Sequence, residues 1–252
     1  MTTIGIIQRK GGSGKSTVTA NLAAIFSEAG KTVLVIDADD QRNTTSSIPT
    51  YVPVHHDLET LLLAEEADIE TVAEPTLWNG VAIVAGSPGL SSVAAALDTM
   101  PLGHLQLRNK IRRADYDLCL IDTSPSLNIL TINAMCASDG IFIPLSSTYF
   151  SLEGLAQTLN AYEKVRERLH KELKLYGIAF VIHDGRTRLA NEVQKKVKEQ
   201  YPGLLCRTVI GRNIKIEEAQ IKRQPIQCYA PTGRSSQQYY ELAGELTERI
   251  GL

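Results

Sequence analysis

Residues 8–17, Gln-Arg-Lys-Gly-Gly-Ser-Gly-Lys-Ser-Thr, place Lys10 and Lys15 five positions apart around Gly11, Gly12 and Gly14. An apolar run from Thr3 to Ile7 leads into this loop, and a helical pattern of Val18, Leu22, Ile25 and Phe26, closed by Gly30, leads out of it. Strand, glycine-rich loop and helix in that order make a phosphate cradle. The backbone N–H groups of Gly11, Gly12, Ser13, Gly14, Lys15 and Ser16 surround the anion at the positive end of a helix dipole. Lys15 then neutralises phosphate oxygens, and the Ser16 hydroxyl is suited to a magnesium ion. Because Lys15 already serves its own loop, Lys10 is left with solvent or with a nucleotide on a second subunit.

Apolar strand patterns at 3–8, 32–37, 81–85, 117–122, 140–145, 176–182 and 205–210 alternate with stretches long enough for crossover helices. That alternation predicts an α/β fold, a doubly wound and mostly parallel sheet with helices on both faces. Ligands bind such folds at the carboxyl ends of the strands, and the special residues fall there. Gly11–Ser16 follows the first strand, Asp37 and Asp39 end the second, and Asp122 ends the fourth. The 252 residues, 43% of them hydrophobic, are enough for one domain spanning 1–252. Residues 44–53 and 87–90 read as surface loops. The apolar runs are strand-length and no signal peptide precedes the first strand, so a cytoplasmic chain without a membrane span is expected. Cys119, Cys136, Cys206 and Cys228 lie far apart and read as buried free thiols. His55 and His56 lack a third ligand at useful spacing and read as solvated, and Trp78 is expected to pack beside the strand at 81–85.

The loop resembles the deviant Walker A box KGGxGK[ST] of the ParA/MinD superfamily of P-loop NTPases. Residues 31–40, KTVLVIDADD, resemble the superfamily's D-x-D-P-Q strand end, with Asp37, Asp39 and Gln41 matching and Asp40 where proline is usual. Residues 116–126, YDLCLIDTSPS, resemble its Walker B strand; 208–213, TVIGRN, resemble T-x-I-P-R-N, with Gly211 in place of proline. The late block through Glu218, Ala219, Pro225, Ile226, Tyr229, Pro231 and Tyr239 is most similar to the Soj/ParA partition branch. The resemblance implies ATP and Mg²⁺ as cofactors and weak, partner-stimulated ATP hydrolysis. It assigns Lys10, Lys15 and Asp39 to catalysis, Asp39 orienting the attacking water. Ser16, Asp39 and Asp122 fall on the magnesium side, with Asp37 nearby as a magnesium-side or structural carboxylate. Nucleotide contacts run through residues 10–17, Thr17 included, and adenine is expected against Gly211, Arg212 and Asn213. The resemblance also implies an ATP-sandwich homodimer in which Lys10 reaches the partner's nucleotide.

Charge adds a second line. Residues 164–223 carry 15 Lys+Arg against 7 Asp+Glu, while the rest of the chain carries 11 against 21, so a net charge of −2 conceals strong polarity. Arg186, Arg188, Lys215, Lys222 and Arg223 are the candidates for a face that binds nonspecific DNA through its phosphates. Nucleoid association and a ParB-type centromere-binding or adaptor partner follow from the resemblance, the cargo being DNA or, alternatively, a protein organelle or receptor array. A MinD-like membrane ATPase is disfavoured: the tail from Tyr239 carries Glu241, Glu245 and Glu248 against Arg249, so anionic lipid would repel it. An iron–sulfur carrier would need clustered thiolates, which the scattered cysteines do not supply.

Overall fold

The computed structural model describes residues 1–252. Seven strands form one sheet: β1 (Thr2–Ile6), β2 (Val33–Ala38), β3 (Glu74–Pro75), β4 (Val81–Val84), β5 (Leu118–Thr123), β6 (Gly140–Ser146) and β7 (Lys174–Val181). Their spatial order is β3-β4-β2-β5-β1-β6-β7. Every pairing is parallel except that of the short edge strand β3 with β4. The helices are α1 (Lys15–Glu28), α2 (Asn43–Ser47), α3 (Leu58–Leu63), α4 (Ile69–Val72), α5 (Leu90–Thr99), α6 (Gln106–Ile111), α7 (Ile129–Ala137), α8 (Tyr149–Arg168), α9 (Arg188–Gln200), α10 (Ile214–Ile221), α11 (Ile226–Tyr229) and α12 (Arg234–Ile250).

The central strands read as unbroken apolar runs because both faces are covered. Alternation still sorts their side chains. Val33 and Val35 of β2 join Ile4 and Ile6 of β1 beneath α1 and α12, whereas Leu34 and Ile36 turn to the opposite face with α3, α5 and α7. A third cluster seats α8 and α9 against β6 and β7 through Ile143, Leu155, Phe180 and Val193. Trp78 packs against the first cluster, as expected from its place beside β4.

Three local expectations are corrected. Residues 205–210 run beside β7, with an isolated bridge from Leu205 to Ile178 and a bond from Ile210 N to Phe180 O, but form no seventh parallel strand, and the seventh place is taken by β3 on the other edge. Residues 44–53 are not simply a surface loop, since residues 43–47 form α2 and Thr44, Ser47 and Ile48 are buried. Cys119, Cys136 and Cys206 are buried thiols, but Cys228, at the end of α11 and beyond the sheet, is exposed.

Candidate nucleotide-binding and switch site

Strand register assembles the site. Asp37 on β2 pairs with Asp122 on β5, and Asp122 pairs with Ile6 on β1. Both carboxylates therefore sit at the level where β1 gives way to the glycine loop. Gly12 and Gly14 have φ of 68° and 82°, a left-handed conformation that favours glycine. A Cβ on Gly14 would lie 3.0 Å from Val181 Cγ2, so this loop also packs tightly on β7. Gly11 has neither demand, and open space surrounds it. Lys15 opens α1 and is buried, its pKa lowered by that burial and raised back in part by Asp122 and Asp39.

The loop floors a cleft of about 620 Å³ lined also by Asp39, Gln41, Asn43, Ser46 and Gln220. It shares Gly12, Gly14, Thr17 and Gln220 with a more apolar slot of about 240 Å³, walled by Ile182, Ile210, Gly211, Arg212, Asn213 and Ile216. A polar cleft opening into an apolar slot suits a polyphosphate carrying a flat base.

Two buried oxygens in the cleft find no partner within the chain: Ser13 Oγ and Asp122 Oδ1. Asp122 Oδ2 accepts a 2.7 Å bond from Thr44 Oγ1 of α2, and the Ser16 hydroxyl faces the same carboxylate. An unpaired buried carboxylate oxygen beside a hydroxyl is a donor set suited to Mg²⁺, which needs few protein ligands because phosphates and waters complete its shell. No group of three or more His, Cys, Asp or Glu is arranged as a full metal cage.

Asp37 is placed differently. Its Oδ2 accepts from Thr45 N at 2.8 Å and Thr45 Oγ1 at 2.7 Å, and its Oδ1 accepts from Asp39 N at 3.2 Å. These bonds tie β2 to α2 and leave Asp37 a structural bracket for the switch segment. Burial raises the pKa of both Asp37 and Asp122 well above the usual carboxylate range, and Asp122 raises that of Asp37 further. Asp39 lines the cleft with its Oδ1 engaged by Gln41 N at 3.1 Å, and its pKa too is raised by burial. Asp40, where proline is usual in the resembling motif, accepts from Gln41 Nε2 at 3.1 Å and lies 3.4 Å from Ser91 Oγ of α5.

Lys10 points elsewhere than Lys15. Its Nζ is held by Thr148 Oγ1 and Ser151 Oγ at the start of α8, beside Tyr149 and Phe150, which are 63% and 70% exposed. In the late segment Arg212 lines both the apolar slot and a second cavity of about 640 Å³ shared with Arg186, Gln194 and Arg234. Asn213 caps α10, accepting from Lys215 N at 3.0 Å and donating to Ser235 Oγ at 2.8 Å. Gly211 N donates to Gln238 Oε1 at 3.1 Å.

Among the basic residues, Arg188 and Lys222 are exposed. Arg186 forms a two-pronged pair with Asp184 at 2.8 Å, and Lys215 bonds Glu218 at 2.7 Å. Arg223 instead donates from Nε to Ser46 O at 2.7 Å. Sequence reasoning missed Thr44, Thr45 and Gln220 altogether. The only signal at 44–45 is a pair of hydroxyls shortly after the second aspartate.

Fold and cleft together define a P-loop nucleotide-binding protein with a second lysine held outside the cleft, at the start of α8. Comparison with known proteins narrows this. A family model described as AAA domain matches residues 1–175. Chromosome-partitioning ATPase Soj of Thermus thermophilus is 35% identical over 249 residues, covering 98% of this chain and 96% of that one. Chromosome partitioning protein ParA of Caulobacter vibrioides is 33% identical over 250 residues, covering 98% and 94%. Among solved structures, a McdA variant–ATP complex from Cyanothece superposes with TM-score 0.87 at 19% identity, covering 100% of this chain and 97% of that one. The septum site-determining protein MinD of Pyrococcus horikoshii, complexed with Mg-ADP, superposes with TM-score 0.76 at 23% identity, covering 97% and 95%. The chain belongs to the Soj/ParA family of deviant Walker A proteins, a family of ATP hydrolases. No helix is long and apolar enough to cross a membrane.

Proposed function

We propose that this ParA-type ATPase is a dimerising switch that binds nonspecific DNA in its ATP state and releases it on hydrolysis, so as to segregate or position cargo. One observation carries the reading: two lysines of a single loop face different ways. Lys15 is buried against Asp39 and Asp122, where it serves the phosphates of its own subunit. Lys10 stands outside the cleft beside exposed aromatic side chains, on hydroxyls that a partner's phosphates can outbid, because a charged acceptor binds an ammonium more strongly than a neutral hydroxyl does.

Within one subunit, the loop N–H groups and Lys15 hold the phosphates. Ser16 and Asp122 hold Mg²⁺, which when bound offsets charge on the phosphate oxygens. Asp39 orients the attacking water, while Asp37 keeps the switch backbone in place. Arg212, with the backbone of Gly211 and Asn213, closes on the base. Arg186, Arg188, Lys215 and Lys222 form the phosphate-binding face, and dimerisation doubles it, which steepens salt dependence and raises avidity.

The partner is a ParB-type or other adaptor protein that accelerates hydrolysis. Binding to a DNA duplex, measured without nucleotide and with ADP, ATP and a slowly hydrolysed analogue, tests the scheme. ATP-selective, salt-sensitive binding that Lys10→Ala abolishes is the expected result. A Lys10→Ala protein that dimerises with ATP and binds DNA normally sinks it.

A further inference from the structure

The one member of the basic set that reaches into the switch is Arg223. It follows α10 with φ of 53°, a left-handed conformation costly for any residue but glycine. Of the four non-glycine residues with positive φ, Ile182 walls the apolar slot, Arg42 lies between the cleft-lining Gln41 and Asn43, and Arg223 follows the cleft-lining Ile221 by two residues. Strain concentrated in this way persists only where surrounding contacts hold it.

The contact made by Arg223 is specific. Ser46 lies in the last turn of α2, where carbonyls lack helical N–H partners, and a cation is a suitable cap there. Arg223 supplies that cap from an element 177 residues away in sequence. The same α2 carries Thr44, bonded to Asp122, and Thr45, bonded to Asp37. A second link runs alongside, from Gln220 Nε2 to Thr17 Oγ1 of α1 at 2.9 Å. The helix that carries Lys215 is thus braced against both halves of the phosphate site.

We propose that Arg223 is a positioning residue for ATP hydrolysis: by holding Ser46 O it fixes α2, and through Thr44 and Thr45 it fixes the carboxylates of Asp122 and Asp37. The brace also joins the switch segment to the helix bearing Lys215, so nucleotide state and the basic face share one rigid path. This inference rests on the hydrolytic reading of the cleft.

Arg223→Gly is the informative variant, because it removes the brace while suiting the left-handed backbone. Its kcat is expected to fall about tenfold, the scale of one hydrogen bond, with the KM for ATP and the melting temperature of the nucleotide-free protein not worsened. Arg223→Lys keeps a cation and restores part of the loss. The fold-loss of the Arg223→Gly/Thr45→Val double variant is smaller than the product of the two single fold-losses, since both act through α2. An unchanged kcat overturns the proposal. So does a defect confined to DNA affinity with a salt slope lowered by about one, which makes Arg223 a phosphate contact instead. Hydrogen exchange reads the brace without turnover: amides of residues 45–48 exchange faster in the Gly variant, and unchanged exchange overturns the proposal. Wild-type hydrolysis in the same assay tests the ATPase reading separately.

Discussion

The phosphate side and the basic side of this molecule are built on opposite principles. Around the phosphate loop, buried polar groups are held by partners far away in sequence: Thr44 on Asp122, 78 residues apart, and Thr123 Oγ1 on Ile6 O, 117 residues apart. On the basic side the charges are exposed and their partners are local, as with Arg186 on Asp184, Lys215 on Glu218 and Lys195 near Glu199. Exposed pairs of that kind add little to stability, because water and salt screen them. On the proposed DNA face a phosphate backbone would therefore displace them readily, whereas loss of a buried partner leaves a desolvated atom unsatisfied. The contrast separates a preorganised chemical site from an adaptable electrostatic surface.

Single substitutions test how sharp that contrast is. Lys15→Ala is expected to have the largest effect, reducing hydrolysis by about a thousandfold because it removes a fixed charge from the phosphates. Nucleotide binding by calorimetry should weaken with it. Asp39→Ala should lower turnover by about a hundredfold while ATP still binds, a split visible when single-turnover rates are compared with equilibrium titration. A parallel loss of ATP affinity would move Asp39 from water orientation to ligand binding. Lys10→Ala should bind ATP yet remain a monomer by light scattering, with a loss of DNA affinity of at least about tenfold.

On the exposed side, Arg188→Ala and Lys215→Ala should each lower the salt slope of DNA binding by about one and leave hydrolysis intact. A hydrolysis defect in either would blur the division between the two regions.

The smallest expected effect concerns pH. Asp37 and Asp122 have folded-state pKa values raised by burial, so between about pH 4 and neutrality the native state binds more protons than the unfolded chain. Stability of the nucleotide-free protein from this source is greatest at the acidic end and falls as pH rises towards neutrality. Melting temperature should be higher by about 3 °C at about pH 5 than at about pH 8, and Asp37→Asn should flatten the difference. An increase with pH would contradict the burial of the pair.

Much of the fold was legible in the chain because its signals are local. Six of the seven expected strands are present, and apolar runs covered on both faces made them readable. The segment at 205–210 deceived because it runs beside β7, bonding Ile178 at one end and Phe180 and His183 at the other, without forming a continuous ladder. The two-residue strand at Glu74–Pro75 carries too few residues for any period to register. In the site, the glycine loop and the strand-end aspartates could be found from spacing. Which hydroxyl of α2 meets Asp122 and which meets Asp37 could not, because that depends on how α2 packs against the strand ends.

The sequence by itself determined the phosphate loop, the order of strands and helices along the chain, and the polarity of charge. Those depend on backbone conformation at Gly12 and Gly14, on side-chain period and on composition, all encoded within a few residues of each other. Only the tertiary structure decided that Lys10 rests on Thr148, 138 residues away, and that Thr44 holds Asp122, 78 residues away. It alone turned Arg223 from one more surface cation into a brace on Ser46. Such pairings are set by how packed elements converge in space, and a short, unpatterned stretch such as residues 43–47 carries no local record of the neighbours it will meet.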